Sequence, residues 1–430
     1  MSKYVEYRRE FHKYPEQGFR EIRTSARIAE ILTGMGYQCL MGPDVVKIET
    51  IGTETATEEE MKAAMERAVS QGAKPEFVER TKGYPGVIAE FDTGKDGPVT
   101  AFRFDIDCLP YDEPRKEGYR PFEEGYISCN AGSVHACGHD SHTAMGLGIA
   151  DQLMARKAQF EGKIRLIFQP AEETTGGAHQ MIEAGVLQQP AVSAMIGLHV
   201  DPAFETGSIV LRRGVMNAAV NDFTMEIKGK QCHGAQPERG IDPIVVAADM
   251  IMTLQTIATR FTAATNPVVV SIGSIQGGTG CNIIPGEVIM QGTLRAVSNE
   301  TLDSIKNRVE QIAAGTTATY GASAQFEWME TPFPPLINDD GVIDIVEKAA
   351  DDIGFAVHHM PETSMGADDF AFFTEAVPGA YFNLGCAPKG ATLSPLHNGN
   401  FIGDEKALRA GMEIELQTVL ALMEKNSKRI

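Results

Sequence analysis

The stretch SVHACGHDSH at residues 133–142 contains three histidines, one cysteine and one aspartate within ten positions. Thiolate and imidazole are ligands that zinc and similar transition metals prefer, and a carboxylate completes a mixed site. Cys137 and His139 are two residues apart, so their side chains point the same way in an extended backbone. These residue types leave three interpretations open: metal ligands, a cysteine nucleophile with its base, or polar side chains around a turn.

Further candidate ligands come at the ends of predicted strands or in the loops that follow them. They are Glu172, Glu173, His199 and His397. In open α/β sheets, ligands bind outside the carboxyl ends of the strands. We therefore expect these side chains to converge with the cysteine and histidine of the ten-residue motif.

Two adjacent glutamates, Glu172 and Glu173 in QPAEE, follow a predicted buried strand. In a dry site their charges repel each other, and a metal ion removes this conflict by binding one of the carboxylates. The other carboxylate is then available to accept a proton from water. The alternative interpretation is a solvated acidic loop, and spacing does not say which glutamate has which task.

The remaining polar residues of the motif are expected to support the site. His135 and His142 are candidates for orienting a ligand, and Asp140 is a candidate cap for the helix that follows. Surface or packing roles are expected for the more distant histidines, which are His12, His179, His358 and His359.

Alternating strands and helices must position these groups. Residues 99–106 and 163–169 are predicted strands, and residues 143–157 are a predicted helix between them. This alternation is typical of an α/β domain with a mainly parallel sheet. We assign residues 1–213 and 329–430 to this catalytic, metal-binding domain.

Between these two segments the pattern changes to β-α-β-β-α-β, the order of a ferredoxin-like unit. It indicates an inserted domain over residues 214–328. A separate acidic, alanine-rich insertion at residues 43–83 is predicted to form one exposed helix.

The composition is that of an ordinary globular protein, with 430 residues, 43% hydrophobic and 22% charged. A net charge of −20 argues against nucleic acid or an anionic membrane as a partner. No uninterrupted apolar run approaches the ~20 residues that a membrane span needs. Seven cysteines without a CxxC pair, and a charged N-terminus without an apolar stretch, predict reduced thiols in a cytoplasmic protein.

Seven short motifs occur in order along nearly the whole chain: HACGHDSH, QPAEE, GLHVDP, CHGAQP, GGTGCNIIP, GTLR and LHNGNF. Together they resemble the dinuclear metallohydrolases of the aminoacylase and carboxypeptidase (zinc peptidase) family. Within that family they are similar to the amidohydrolase branch, which includes hippurate and auxin-conjugate hydrolases. The resemblance implies an α/β catalytic domain with an inserted ferredoxin-like dimerisation or lid domain.

The resemblance also implies roles for single residues around two divalent metal ions, manganese or zinc. Glu172 would be the general base, and Asp105 would orient a histidine ligand from the second layer of the site. The implied metal ligands are Cys137, which would bridge both ions, His139, Glu173, His199 and His397.

For the inserted domain, the resemblance implies contacts with substrate and with a second subunit. His233 would reach the active site of a partner and polarise the scissile carbonyl, while Asn282 and Arg295 would hold the substrate carboxylate. The partner would be a second copy, giving a homodimer, or a related B subunit, giving a heterodimer.

The implied reaction is hydrolysis of the amide bond in small N-acyl or N-aroyl amino acids. The favoured substrate is N-(4-aminobenzoyl)glutamate, a folate catabolite. A general N-acyl-amino-acid amidohydrolase, acting on hippurate-like or auxin-conjugate-like compounds, is the alternative. An inactive binding subunit is a further alternative, disfavoured because every implied ligand and the base are present in the sequence.

Overall fold

The computed structural model describes residues 2–47, 56–174 and 176–427, which form two compact units. The second unit comprises Val215–Leu336 and Glu362–Ala371, and the first unit takes the rest of the described chain. The predicted insertion at 214–328 therefore corresponds to most of the second unit. Sequence patterns gave no indication of the short return segment at Glu362–Ala371.

Within the described ranges, eight strands of the first unit form one sheet in the order β1-β2-β4-β3-β5-β16-β6-β15. Their bounds are β1 (Cys39–Met41), β2 (Val87–Asp92), β3 (Val99–Asp105), β4 (Lys163–Gln169), β5 (Ala194–Glu205), β6 (Ser208–Leu211), β15 (Ala356–His359) and β16 (Gly379–Ala387). The pairs β3–β4, β3–β5, β5–β16 and β6–β15 are parallel. The predicted mainly parallel sheet is confirmed.

Helices cover this sheet. Their bounds are α1 (Lys3–Lys13), α2 (Ile22–Gly34), α3 (Glu58–Ser70), α4 (Pro75–Thr81), α5 (Arg120–Glu123), α6 (His139–Ala155), α7 (Gly177–Glu183), α10 (Asp340–Asp352) and α12 (Ala407–Ser427). Helix α6, which was predicted at 143–157, begins earlier, at His139, and twelve of its 17 residues are buried. A Cβ atom at Gly146 would lie 2.6 Å from the Phe104 ring, so the absence of a side chain lets α6 approach the sheet closely.

The insertion at residues 43–83 differs from its prediction, although residues 48–55 of it lie outside the described residues. It contains two helices, α3 and α4, where one exposed helix was predicted. Ala64 and Ala68 of α3 are buried because the helix packs on α2. The alanine-rich composition that suggested a solvated helix therefore also allows close helix packing.

The second unit contains, in chain order, β8 (Ala219–Lys228), β9 (Cys232–His233), α8 (Pro243–Leu254), β10 (Val268–Gly277), β11 (Ile283–Ile284), β12 (Glu287–Ala296), α9 (Asn299–Tyr320) and β13 (Ser323–Trp328). Its main sheet is antiparallel, in the order β10-β12-β8-β13. With α8 and α9, this is the predicted β-α-β-β-α-β arrangement, which is confirmed. The elements β7 (Gly214–Asn217), β14 (Leu336–Asn338) and α11 (Phe370–Ala376) lie where the chain passes from one unit to the other.

One helical stretch among the described residues, Pro243–Phe261, is long and apolar enough to cross a membrane by length and composition alone. The core helix of a soluble protein passes the same test, so the observation is weak evidence. Val246, Met250 and Leu254 of this stretch are buried in the core of the second unit. Other apolar residues of the stretch, Ile244, Val245, Met252 and Phe261, are exposed.

Candidate active site

Cys137 and His139 stand at the junction between a loop and the start of α6. Gly138 between them caps the helix with φ +91°, in the left-handed region that favours glycine. A Cβ atom at Gly138 would lie 2.4 Å from the Val200 side chain, so this position also has no space for one. The glycine thus places the thiol and the imidazole on either side of a sharp turn.

The Cys137 thiol lies between two of the predicted histidine ligands. Its Sγ is 3.2 Å from Nε2 of His199 and 3.4 Å from Nε2 of His397. Nδ1 of His199 donates to the carbonyl oxygen of Val200 at 2.8 Å. This bond places the ring proton on Nδ1 and leaves the Nε2 lone pair directed toward the thiol.

Glu173 lies beside His397 and the third predicted histidine ligand, His139. Its Oε1 is 3.4 Å from Nε2 of His397 and 3.8 Å from Nε2 of His139. Within the described part of the chain, Glu173 Oε1 and His139 Nε2 are both buried without a hydrogen-bond partner. Buried polar atoms normally have partners, so two such atoms facing one place are the arrangement that a bound cation would satisfy.

Asp107 holds two of these groups at once. Its Oδ1 is 3.0 Å from Nδ1 of His139, and its Oδ2 accepts the amide hydrogen of Glu173 at 2.9 Å. A carboxylate on the far nitrogen of a ligating histidine fixes the orientation of the ring and raises its basicity. Asp107 was not among the residues singled out from the sequence.

Asp105 bonds to His142, a histidine that was not among the predicted metal ligands. Its Oδ1 accepts a hydrogen bond from Nδ1 of His142 at 2.6 Å, while its Oδ2 is 3.8 Å from His139 Nε2, beyond hydrogen-bonding distance. Nε2 of His142 in turn accepts the amide hydrogen of Val200. The role of Asp105 toward a ligand stays a prediction; in the structure Asp107 bonds to His139, and Asp105 bonds to His142.

Negative charge accumulates in this buried site and shifts the acidity of its groups. Burial, followed by the charges of Glu173 and Glu172, raises the pKa of the Cys137 thiol well above its usual range. Burial also raises the pKa of Glu173 to about 7. Although burial opposes it, the charge of Asp105 and the bond to Asp107 raise the pKa of His139 to about 10. A cation in the site reverses this balance and favours the thiolate and the carboxylate.

The candidate ligands form two groups that share Cys137. One contains Cys137, His139 and His199, the other Cys137, Glu173 and His397, and in each group the ligand atoms lie within 4.8 Å of one another. A thiolate common to two groups is suited to bridging two cations. The residues present therefore fit a pair of divalent metal ions, with soft and borderline ligands that suit transition metals.

Glu172 adjoins this pair of groups. One of its carboxylate oxygens lies within 4.8 Å of the ligand atoms of His139 and Glu173. Both glutamates are intermediate in exposure. Of the two, Glu173 belongs to the group with Cys137 and His397, so Glu172 is the glutamate left to exchange a proton with water, a distinction that spacing alone did not make.

Gly138 is the N-cap of α6 in place of Asp140, whose Oδ1 accepts the amide hydrogen of Ser141 in the first turn at 2.7 Å. Oδ2 of Asp140 accepts a hydrogen bond from Nδ1 of His12 and forms an ion pair with Nε of Arg8, each at 2.8 Å. Nε2 of His12 also contacts Glu113 at 2.8 Å. Asp140 therefore ties the beginning of α6 to α1 through buried charges, and His12 has a packing role in the interior.

His135 was expected to orient a ligand, and the structure gives it no such contact. Both of its ring nitrogens are buried without a hydrogen-bond partner among the described residues. Burial lowers the pKa of His135 to about 3, so the ring is neutral. It packs as an uncharged side chain in the interior, two residues before Cys137.

The predicted substrate contacts belong to the second unit. His233 is exposed on β9, and its Nδ1 accepts the amide hydrogen of Ala235 at 3.0 Å. Strand β9 pairs with β11 so that His233 lies opposite Ile283, the neighbour of Asn282. Arg295 lies on β12, where its Nε donates to Thr293 Oγ1 at 3.1 Å. Their action on substrate remains a prediction.

Comparison with known proteins gives consistent matches over the whole chain. Residues 101–421 match the profile of peptidase family M20/M25/M40. N-acetylcysteine deacetylase from Bacillus subtilis (strain 168) is 34% identical over 424 residues, which cover 98% of this chain and 97% of the relative. One subunit of the p-aminobenzoyl-glutamate hydrolase from Escherichia coli (strain K12) is 33% identical over 420 residues, 96% of this chain and 94% of the relative.

A solved structure gives the same result for the fold. It is a dinuclear metal-binding peptidase of family M20 from Bacillus subtilis, with a TM-score of 0.74 and 32% sequence identity, covering 98% of each chain. The similarity extends through both units, because nearly all of each chain is aligned.

Proposed function

Because this chain belongs to peptidase family M20/M25/M40, we propose that it hydrolyses the amide bond of N-acyl or N-aroyl amino acids at the site built around Cys137. The observation that carries the proposal is the pair of ligand groups sharing one buried thiol. The proposed ligands of two divalent ions are Cys137, His139, Glu173, His199 and His397.

Bound divalent cations would lower the pKa of water and stabilise negative charge on the carbonyl oxygen of the scissile amide. Glu172 is proposed as the general base that takes the proton from the attacking water. It then returns that proton to the nitrogen of the leaving amino acid, so the carboxylate is regenerated in each turnover. Asp107 keeps His139 and the Glu173 backbone in place throughout.

The amino-acid part of the substrate carries a carboxylate, for which the second unit offers candidate partners. Arg295 has the planar fork of donors that matches a carboxylate, and Asn282 supplies an amide donor. Arg295 is half-buried, and burial lowers the pKa of its guanidinium. A partly desolvated cation gains more from pairing with a carboxylate than an exposed one does.

Two candidate substrates, which differ in their acyl group, have support. N-(4-aminobenzoyl)glutamate is the first, supported by the Escherichia coli relative and by the motifs of the sequence. N-acetylcysteine is the second, since the Bacillus subtilis deacetylase is similar to the same extent. Either compound is an amide between an acyl group and an amino acid with a free carboxylate.

We also propose that the chain acts as a dimer, with His233 of one subunit polarising the scissile carbonyl in the site of the other. The second unit has exposed apolar residues that a partner would cover, among them Val245 and Met252 on α8 and Ile275 on β10. The partner is a second copy or a related B subunit. The seven cysteines are all free thiols, which supports the proposed cytoplasmic location.

The test is to purify the chain, measure its bound metals and assay a panel of N-acyl and N-aroyl amino acids. Activity should disappear on chelation and return with zinc or manganese. The panel should include both candidate substrates and their amidated forms, which lack the free carboxylate. Activity that survives complete metal removal would support a cysteine nucleophile and contradict the proposal.

A further inference from the structure

The two glutamates of the site follow a residue with an unusual backbone. Ala171 has φ +55°, in the left-handed region that residues with a side chain rarely adopt. It immediately precedes Glu172 and Glu173, so its conformation sets the direction in which both side chains leave the strand. Something outside the loop must stabilise this turn.

Glu21 supplies that stabilisation. Its Oε1 accepts the amide hydrogen of Ala171 at 2.7 Å, across a separation of 150 residues. The Glu21 side chain stands directly before α2 and is fully buried. A hydrogen bond between an amide and a carboxyl oxygen is electrostatically stronger in a buried site than in water.

The burial of the Glu21 side chain lowers the stability of the fold. Its other oxygen, Oε2, is buried without a hydrogen-bond partner among the described residues. Burial, followed by the charge of Asp107, raises the pKa of Glu21 well above its usual range. A buried carboxyl that is only half satisfied destabilises a protein, so its presence next to the catalytic loop calls for a functional reason.

The loop is thereby held at two points. The amide of Ala171 bonds to Glu21, and the amide of Glu173 bonds to Asp107 at 2.9 Å. Gly18, from the same segment as Glu21, packs directly on the loop: a Cβ atom there would lie 2.5 Å from Thr174 Oγ1 and 3.2 Å from Ala171 Cβ. Glu172 lies between the two fixed amides.

We infer that Glu21 is a positioning residue, whose carboxyl oxygen fixes the left-handed turn at Ala171 and so directs Glu172 and Glu173 into the active site. The inference rests on the roles of base and metal ligand proposed above for these two glutamates. Glu21 itself touches neither substrate nor metal in this assignment.

The test compares Glu21→Gln, which keeps an oxygen acceptor, with Glu21→Leu, which removes it. Loss of alignment by about 1 Å costs about 100-fold in rate, so Glu21→Leu should lower kcat by roughly that factor with little change in KM. Because Glu173 is in the same loop, Glu21→Leu should also bind fewer than two metal ions when titrated with Zn²⁺ or Mn²⁺. Glu21→Gln should restore most of both properties.

Glu415 provides matched controls, Glu415→Gln and Glu415→Leu. It is also fully buried in the first unit, on α12, and neither of its oxygens has a hydrogen-bond partner in the described structure. Replacing it should leave kcat and metal stoichiometry unchanged, and Glu415→Leu should raise the melting temperature by removing a buried unpaired group.

The melting temperature of the metal-free protein separates positioning from simple support of the fold. Glu21→Leu should lose kcat and metal while its metal-free melting temperature stays near that of the wild type. A Glu21→Leu protein that fails to fold, or that loses melting temperature in step with kcat, would overturn the inference, as would unchanged kcat. Glu172→Ala serves as the reference variant. If Glu172→Ala stays active, the proposed base is wrong. The metal titration of Glu21→Leu then still tests the link from Glu21 to Glu173.

Discussion

In the first unit the candidate ligands His139 and Glu173 are fixed by buried hydrogen bonds, whereas in the second unit two of the three candidate substrate contacts lie at the surface. His139 and the Glu173 amide share one buried aspartate, and Cys137 lies against two histidines. His233 and Asn282 are exposed. The groups proposed for catalysis in the first unit are thus held in place by that unit itself. The groups proposed for substrate binding in the second unit are free to contact another surface.

The largest expected effect is on the internally organised site. Glu172→Ala should lower kcat by about 10²–10⁴-fold, the usual contribution of a general base, because water then lacks a proton acceptor. Bound metal, measured by elemental analysis, should stay near the wild-type level, since Glu173 is the proposed ligand. Glu183→Ala, in the nearby helix α7, is the control and should keep full activity. Retention of most activity by Glu172→Ala would refute the assignment of the base.

The next effect tests whether the exposed histidine acts in a second subunit. His233→Ala should lower kcat by about 10²–10³-fold, comparable to the loss of one oxyanion donor. Mixing it with Glu172→Ala under conditions of subunit exchange should restore activity, because hybrid dimers contain one intact site. His359→Ala, an exposed histidine of the first unit, is the control. If subunit exchange is verified and activity does not return, His233 acts within its own chain or not at all.

The smallest expected effect is a loss of stability from tighter packing. Its influence on metal binding should differ between the two units. Gly146→Ala would push a Cβ atom to 2.6 Å from Phe104 in the first unit, and Gly292→Ala would bring one to 2.5 Å from Phe223 in the second. Each should lower the free energy of unfolding by about 1–3 kcal/mol, measured by urea denaturation. Gly146→Ala should also weaken metal binding, because α6 carries His139, whereas Gly292→Ala should not.

Controls for these glycines are available in each unit. Gly34 in α2 and Gly315 in α9 have nothing within 4 Å of an added Cβ atom. Their alanine variants should be neutral or more stable by up to about 1 kcal/mol, since alanine favours the helix. If Gly292→Ala lowered metal affinity as much as Gly146→Ala did, the idea of an internally organised first unit would be wrong.

Much of the fold was predictable because its signals are local. The family, the mainly parallel sheet and the ferredoxin-like order are confirmed, since strand periodicity and short motifs such as HACGHDSH are readable without knowing distant contacts. The insertion was misjudged because Ala64 and Ala68 suit both a solvated helix and a packed one. Composition did not distinguish the two.

The site was predictable in its ligands and less so in the residues behind them. Asp107 had a detectable signal: it is two residues from Asp105, so both project from the same side of an extended segment. Glu21 had none, because its contact with Ala171 depends on how distant segments meet. Asp140 was interpreted from its place before a helix, while its actual partners, Arg8 and His12, come from α1.

The position of β16 in the sheet has a consequence for the order in which the protein becomes functional during synthesis. This strand is among the last elements of the chain, yet it lies between β5 and β6 and pairs with β5 alongside His199. His397 follows it in sequence. A nascent chain therefore lacks one candidate ligand until residue 397 has emerged from the ribosome, and before β16 is made it also lacks an interior strand of its sheet. Chains that end before residue 397 should consequently be unable to hydrolyse substrate, and activity should begin only after this residue has been made.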